Sequence, residues 1–455
     1  MSSLFLNKTL FLLIFAMFIS SAYANNLPNL GEGASVYLNH NEAKKIGLKY
    51  YRKLIRSPSY IDDEIVNDYV QNLTNKITNV AGFGDFEFKT LVVKSPNLNA
   101  FALPGGYIVL NTALIKKCDN ESQLASVIAH EIAHITQNHH ARLFKKSSKN
   151  NLKMLGAILA AIILADSNPN AAGATMYAGL AGSTQNILNN TRAHEIEADS
   201  FGIKFLAKAG FNPYGMVEFF DKLPKDGNDD GVYQGIGQFL STHPLSLNRM
   251  SAAKSYVDEV SDISQKTDSL NFQIIKLKIS KKLNDYYFKK IPAKYKKHIV
   301  NLNLLIKKDK NINYSLFKKT NNKYSKIIYY DYLSKTNLKN AIAGYDRLFL
   351  LYPHNKSIAS SFIKMLYDNK KYQEIIKFIE SNSLYLPQSL PPVSLYKLSY
   401  AYHKIDDKIN GKLQLVSYYN KLGLKDTAKI HLIDLKNNFK LSTRQKAQVS
   451  ALLDE

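Results

Sequence analysis

The 455-residue chain contains no tryptophan and one cysteine, Cys118. A lone cysteine excludes an intrachain disulfide and leaves the redox environment undecided. The missing tryptophan accompanies a usage rich in lysine, asparagine, isoleucine and tyrosine, a compositional bias with little functional content. Histidine is scarce at 11 residues, so any cluster of it stands out. Acidic residues are outnumbered, 37 against 60 lysines and arginines, giving a formal charge of +23. Such an excess suits nucleic acid or an anionic membrane surface. Nucleic acid is set aside, because no binding motif accompanies the charge and the N-terminus points to export. The basic stretches Lys289 to Lys297 and Lys307 to Lys319 read as a solvated helical surface, with peripheral membrane contact as the other use of such charge.

The chain is long for one core, and domains of about 100–200 residues imply two or three units. With 45% hydrophobic and 21% charged residues, most of it should fold. Lys8, the apolar run Leu10 to Ile19 and the small-x-small triplet Ala22-Tyr23-Ala24 predict a signal peptide at 1–24, cleaved before Asn25. The run is short for a span of about 20 residues. No cysteine stands at its end, so a lipid-modified N-terminus is not expected.

Glu42 to Lys53 and Asp62 to Val80 have the periodicity of amphipathic helices, the second starting at Asp62 or Asp63 and stopping at Gly82. Phe86 to Val93 alternates as a strand, and Asn99 to Leu110 reads as strand, Pro-Gly-Gly turn, strand. Asn120 with Gln123 resembles a capping box opening a helix that should run to about Arg142. After a polar break come an apolar run, Met154 to Ala165, and a small-residue segment, Ala171 to Asn186. Thr191 to Lys208 should be another helix, and Asp226 to Gly237 a mobile loop. From about Ile263 onward the pattern is helical throughout. Paired amphipathic segments at intervals of about 34 residues indicate a helical-repeat solenoid, with a plain helical bundle as the alternative.

The chemistry concentrates in His130-Glu131-Ile132-Ala133-His134. Residues i and i+4 share one helical face, so both imidazoles can reach one ion. Zinc suits this spacing, because a catalytic site takes three protein ligands and leaves one position for water. Glu131 lies beside that water as general base. A third histidine in the pattern HExxHxxGxxH would be His140, but Gln137 replaces the required glycine. A continuing helix would carry His140 about 15 Å along the axis from His130, so His139 and His140 read as surface residues or supports behind the ligands. Glu195, in Arg192-Ala193-His194-Glu195-Ile196-Glu197-Ala198-Asp199, is the better third ligand. Asp199 shares its helical face and can accept the free ring N–H of a ligand histidine.

With these motifs in hand, the chain resembles the HtpX- and Oma-like gluzincin metallopeptidases, most closely the BepA-like periplasmic members that join such a domain to tetratricopeptide repeats. The resemblance rests on Asn99-Ala100-Phe101-Ala102-Leu103-Pro104-Gly105-Gly106, on the HExxH residues, on Arg192 to Asp199, and on Thr242-His243-Pro244 with Arg249. It implies an α+β fold. A mostly helical gluzincin catalytic domain with a small β-sheet would occupy 25–261, and an all-α TPR-like helical-repeat domain 262–455. It implies Zn2+ as cofactor and Glu195 as third ligand, with Arg249 behind the ligands. His243 would lie near the metal, either filling its fourth position at rest or stabilising the oxyanion. Ala100, Phe101, Ala102 and Leu103 would form an edge on which an extended substrate lies by β-augmentation. The implied setting is the periplasm, the implied substrates unfolded or misassembled outer-membrane β-barrel proteins, and the repeat half's partner the barrel-assembly machinery. The rival expectation is a chaperone or assembly scaffold whose peptidase activity is latent.

Overall fold

The computed structural model describes residues 40–82, 87–137, 139, 185–223, 243–260, 268–383 and 386–454. The expected signal peptide, the apolar run Met154 to Ala165, most of the small-residue segment, the loop Asp226 to Gly237 and His140 lie outside them.

Helix α1 (His40–Ile55) and helix α2 (Glu64–Ala81) open the described chain. Asp63 caps α2, accepting from the amides of Ile65 and Val66 at 3.1 and 3.2 Å, and Gly82 ends it at a φ of 83°. Three strands follow: β1 (Lys89–Val93), β2 (Ala100–Leu103) and β3 (Tyr107–Asn111). Their order is β1-β3-β2, with β1 parallel and β2 antiparallel to β3, so β2 is an edge. Alternation sorts their side chains onto two faces. Leu91, Val93, Phe101, Leu103, Tyr107 and Val109 pack with Leu54 of α1. Val92, Ala100, Ala102, Ile108 and Leu110 join the main core on the other face. Both faces are covered, which explains why all of β2 and β3 is buried.

The small Ala100 and Ala102 side chains let β2 lie close to the next long helix. After α3 (Thr112–Lys117), α4 (Glu121–Thr136) is buried on all sides from Glu121 to Ile135. Asn120 accepts from the Gln123 amide at 3.0 Å, as a capping box requires. Gln123 returns the bond one residue early, its Oε1 accepting from the Asp119 amide at 2.9 Å. The expected continuation to Arg142 does not occur, because α4 stops at Thr136 with Gln137 as its C-cap. Helix α5 (Gln185–Lys208) starts six residues before the expected Thr191 and crosses α4 where Gly202 permits contact. A Cβ at Gly202 would stand 3.2 Å from the His130 backbone nitrogen. Helices α6 (Tyr214–Phe220) and α7 (Leu247–Val260) complete the surround.

Every described element beyond residue 268 is helical: α8 (Leu270–Ser280), α9 (Asp285–Lys290), α10 (Ala293–Lys307), α11 (Tyr314–Lys319), α12 (Lys323–Leu333), α13 (Leu338–Leu351), α14 (Lys356–Asp368), α15 (Tyr372–Ser381), α16 (Leu386–Ser389), α17 (Pro392–Lys404), α18 (Lys408–Leu422), α19 (Lys425–Asn438) and α20 (Thr443–Asp454). The expected α+β class, with a small sheet in a mostly helical first half and an all-α second half, is what the chain adopts. The main core runs without a break from Ile65 to Tyr402. Ser269 joins the halves: its hydroxyl caps α8 by accepting from the Phe272 amide at 3.1 Å and donates to Glu121 of α4 at 2.6 Å. Lys276 of α8 donates to the Cys118 carbonyl. Burial pushes the Cys118 thiol up to about 12, so it stays protonated and inert. The lysines of both basic stretches are exposed or half-exposed. Among the described residues no helix is long and apolar enough to cross a membrane.

Gly47 fixes how α1 seats on the β2–β3 turn, since a Cβ there would lie 1.8 Å from the Pro104 carbonyl oxygen. Alanine gains about 1 kcal/mol of helix propensity over glycine, whereas overpacking costs about 1–3 kcal/mol or more. The clash wins, so Gly47→Ala should lower the melting temperature. A raised melting temperature would show that α1 does not pack on the turn this way.

Candidate metal centre

Burying one full turn of α4 beside the crossing α5 brings four side chains together. His130, His134, Glu195 and His243 each offer an atom within 4.8 Å of the others, all four residues buried. His130 Nε2 lies 2.9 Å from His134 Nε2 and 3.3 Å from Glu195 Oε2, and His134 Nε2 lies 3.2 Å from Glu195 Oε1. Two imidazole nitrogens and a carboxylate facing one point form the donor set zinc prefers, and the residues present fit it.

Behind this set stands a charge network. Asp199, one turn after Glu195 on α5, approaches His130 Nδ1 at 2.9 Å. Arg249 of α7 holds Asp199 with a forked pair at 2.6 and 3.0 Å, reaches Glu195 Oε2 at 2.8 Å and donates to the Pro244 carbonyl at 3.0 Å. One guanidinium thus fixes an expected ligand, its neighbouring acid and the loop carrying His243. Arg249, Asp199 and Glu195 have side-chain exposures of 3%, 1% and 2%, so these charges depend on one another rather than on water.

Burial alone would raise the Glu195 carboxyl, but His243, Arg249 and His134 hold it well below its usual range. Asp199 is lowered likewise, burial again opposed by Arg249 and His130. Burial opposes a charge on His130, yet its bonds to Asp199 and Glu195 prevail and raise it to about 10. His134 goes the other way, to about 3, chiefly through burial.

Glu131 points from α4 toward β2, where its carboxylate accepts from the Ala102 amide, and burial raises its pKa. Asn111 N donates to Asn99 O at 3.0 Å, so by alternation Phe101 and Leu103 bond to β3. Ala100 and Ala102 turn their backbone groups toward the open side. There His243 Nε2 lies 3.4 Å from the Ala100 carbonyl oxygen and 3.5 Å from Glu131 Oε1. Its Nδ1 lies 3.2 Å from Glu195 and 3.3 Å from His130 Nε2. The ring sits between the ligand set and the strand edge. His130, Glu131, His134, Glu195, Asp199, His243 and Arg249 meet here beside the backbone of Ala100 and Ala102, whereas Phe101 and Leu103 turn their side chains to the opposite face of the sheet. His139, set aside with His140 as surface or support, proves to be buried, with its Nδ1 2.9 Å from His134 Nδ1 and its Nε2 3.1 Å from Glu197. The position of His139 five residues after His134 was its only sequence signal, and a helix continuing past Gln137 would have pointed it elsewhere.

Two outcomes follow. Arg249→Met strands two buried carboxylates, and breaking such a pair should cost about 3–5 kcal/mol in denaturant unfolding of the metal-free protein. A loss below about 1 kcal/mol would contradict the network. Because a proton occupies His130 below about pH 10, rising pH removes the ion's competitor. Zinc affinity, followed by chelator competition, should climb roughly tenfold per pH unit between about 6 and 9, and a flat profile would contradict the assignment.

Residues 64–257 match Peptidase family M48. The chain is similar to the Beta-barrel assembly-enhancing protease of Escherichia coli O157:H7, at 36% identity over 239 residues, 52% of this chain and 48% of that relative. It is more distantly similar to the Mitochondrial metalloendopeptidase OMA1 of Schizosaccharomyces pombe, at 27% over 191 residues, 42% of this chain and 53% of that relative. The OMA1 of Arabidopsis thaliana is 28% identical over 229 residues, 50% of this chain and 44% of its own length. The chain spans about half the length of the curated relatives it matches. The likeness read from the HExxH residues, Arg192 to Asp199 and the His243 segment is thus matched, over residues 64–257, by a likeness to Peptidase family M48.

Proposed function

We propose that this chain is an exported zinc metalloendopeptidase whose peptidase part, within 25–261, acts together with a TPR-like helical-repeat part, 262–455. The observation that carries this reading is the convergence of His130 Nε2, His134 Nε2 and the Glu195 carboxylate, with Glu131 alongside. His130, His134 and Glu195 hold the ion. When bound, it supplies a Lewis acid for the scissile carbonyl and acidifies the attacking water. Glu131 accepts that water's proton and hands it to the leaving amine. Its raised pKa suits a carboxyl that must hold the proton between the two transfers. Asp199 and Arg249 hold His130 and Glu195 in place.

Substrate arrives as a strand along β2, pairing with the outward Ala100 and Ala102 backbone groups, while the faces carrying Phe101 and Leu103 keep that edge in register. His243 contacts both this edge and the ligand set, so at rest it would serve as a further ligand beside His130, His134 and Glu195 and restrain the enzyme. An incoming strand competes with it for the Ala100 carbonyl. Unpaired strands are what misassembled outer-membrane β-barrel proteins expose, and the name of the bacterial relatives, Beta-barrel assembly-enhancing protease, fits such clients. The reading places the protein in the periplasm after removal of 1–24, with the repeat half meeting the barrel-assembly machinery. The restraint by His243 also suits a protein that escorts clients and cleaves only those that stall.

Digestion of casein and of a misfolded barrel protein tests the reading. Wild type should cleave and lose activity to a chelator, Glu131→Gln should lose about 10²–10⁴-fold while keeping zinc, and His134→Ala and Glu195→Gln should lose zinc. His243→Ala should cleave faster than wild type. Chelator-resistant cleavage, or an unimpaired Glu131→Gln, would overturn the proposal.

A further inference from the structure

The two imidazole ligands are supported by different chemistry. His130 backs directly onto the Asp199 carboxylate. His134 backs onto another imidazole, with His134 Nδ1 and His139 Nδ1 separated by 2.9 Å. His139 is 1% exposed, and its Nε2 meets Glu197 Oε2 at 3.1 Å. Its ring lies flat against His194, 4.5 Å between centroids and 10° between planes, and edge-on to His134 at 4.9 Å and 76°.

Given the reading above, in which His134 binds zinc through Nε2, the donors and acceptors fix the rest. A ligating nitrogen carries no proton, so the His134 proton sits on Nδ1 and donates to His139. His139 Nδ1 must accept, which leaves its own proton on Nε2 to donate to Glu197. We propose that His139 is the positioning residue for His134: it holds that ring's tautomer and orientation and conveys the charge of Glu197 without touching the ion. A carboxylate directly behind His134 would be another buried anion beside Glu195 and Asp199, with Arg249 already shared between those two. The interposed imidazole lets the supporting anion stand at the boundary with water, where the Glu197 side chain is 32% exposed. One stretch of α5 supplies every piece: Glu195 to the ion, Asp199 behind His130, Glu197 behind His139, and His194 as the surface on which His139 rests.

Zinc affinity of the full-length mature chain, measured by chelator competition, provides the test, together with the visible spectrum of the cobalt(II) form. Wild type is measured first, and failure to bind one zinc would sink the metallopeptidase reading itself, whatever the variants do. In His139→Asn the amide falls at the Nδ1 position and can accept from His134; in His139→Gln it falls at the Nε2 position and cannot; His139→Phe keeps the ring and neither nitrogen. Zinc binding should weaken about 10–100-fold in His139→Gln and His139→Phe and stay within about threefold of wild type in His139→Asn, whose cobalt spectrum should match wild type. A packing role alone predicts the reverse order, with phenylalanine the best substitute. Equal affinities for the asparagine and glutamine variants, or a phenylalanine variant that binds like wild type, would overturn the proposal. If the phenylalanine variant fails to fold, the asparagine and glutamine pair decides the matter.

Discussion

The centre depends on one guanidinium. Arg249 sits among buried carboxylates, paired with Asp199 through a fork and with Glu195 through a third nitrogen, at side-chain exposures of 3% or less. Without it, α4 and α5 would bring two anions into the core with only histidines to balance them, at a desolvation cost of several kcal/mol per ion. With it, Glu195 remains ionised and Asp199 remains an acceptor for His130, as a divalent cation requires. The same side chain bonds the Pro244 carbonyl, so the segment bearing His243 is fixed by the group that fixes the ligands.

The scaffold explains why these groups meet. Alanines on one face of β2 allow the strand to lie against α4, and Gly202 allows α5 to approach the backbone of His130. Glu195 and Asp199 lie on one face of α5, so a single crossing places the ligand and the acid behind another ligand together. The second half is continuous with this arrangement, because Ser269 and Lys276 bond to the start of α4 and to the residues just before it. Movement of α8 would therefore be felt at the N-terminus of the helix that carries both histidines.

Much of this was legible in the chain itself. The i, i+4 histidines, the later carboxylates at the same spacing and the Pro-Gly-Gly turn are local signals, and each sits where its spacing requires. The helical character of the chain beyond about Ile263 was legible because its amphipathic periodicity is strong. Which of the two readings of His139, surface residue or support behind a ligand, applies was not legible. It depends on α4 ending at Gln137, whereas nothing in that stretch, neither glycine nor proline, announces a stop. The burial of α4 on every side was hidden too, since its polar positions, Glu121, Gln123 and Glu131, take partners from distant segments: Ser269, Glu218 and Ala102.

The most direct measurement is an anomalous-difference map collected at the zinc edge from crystals of the zinc-loaded chain. The account predicts one strong peak, bounded by the two Nε2 atoms of His130 and His134 and by the Glu195 carboxylate, at about 2.0–2.2 Å from each. A peak among His139, His194 and Glu197 instead, or an ion that leaves Glu195 uncoordinated, would contradict it.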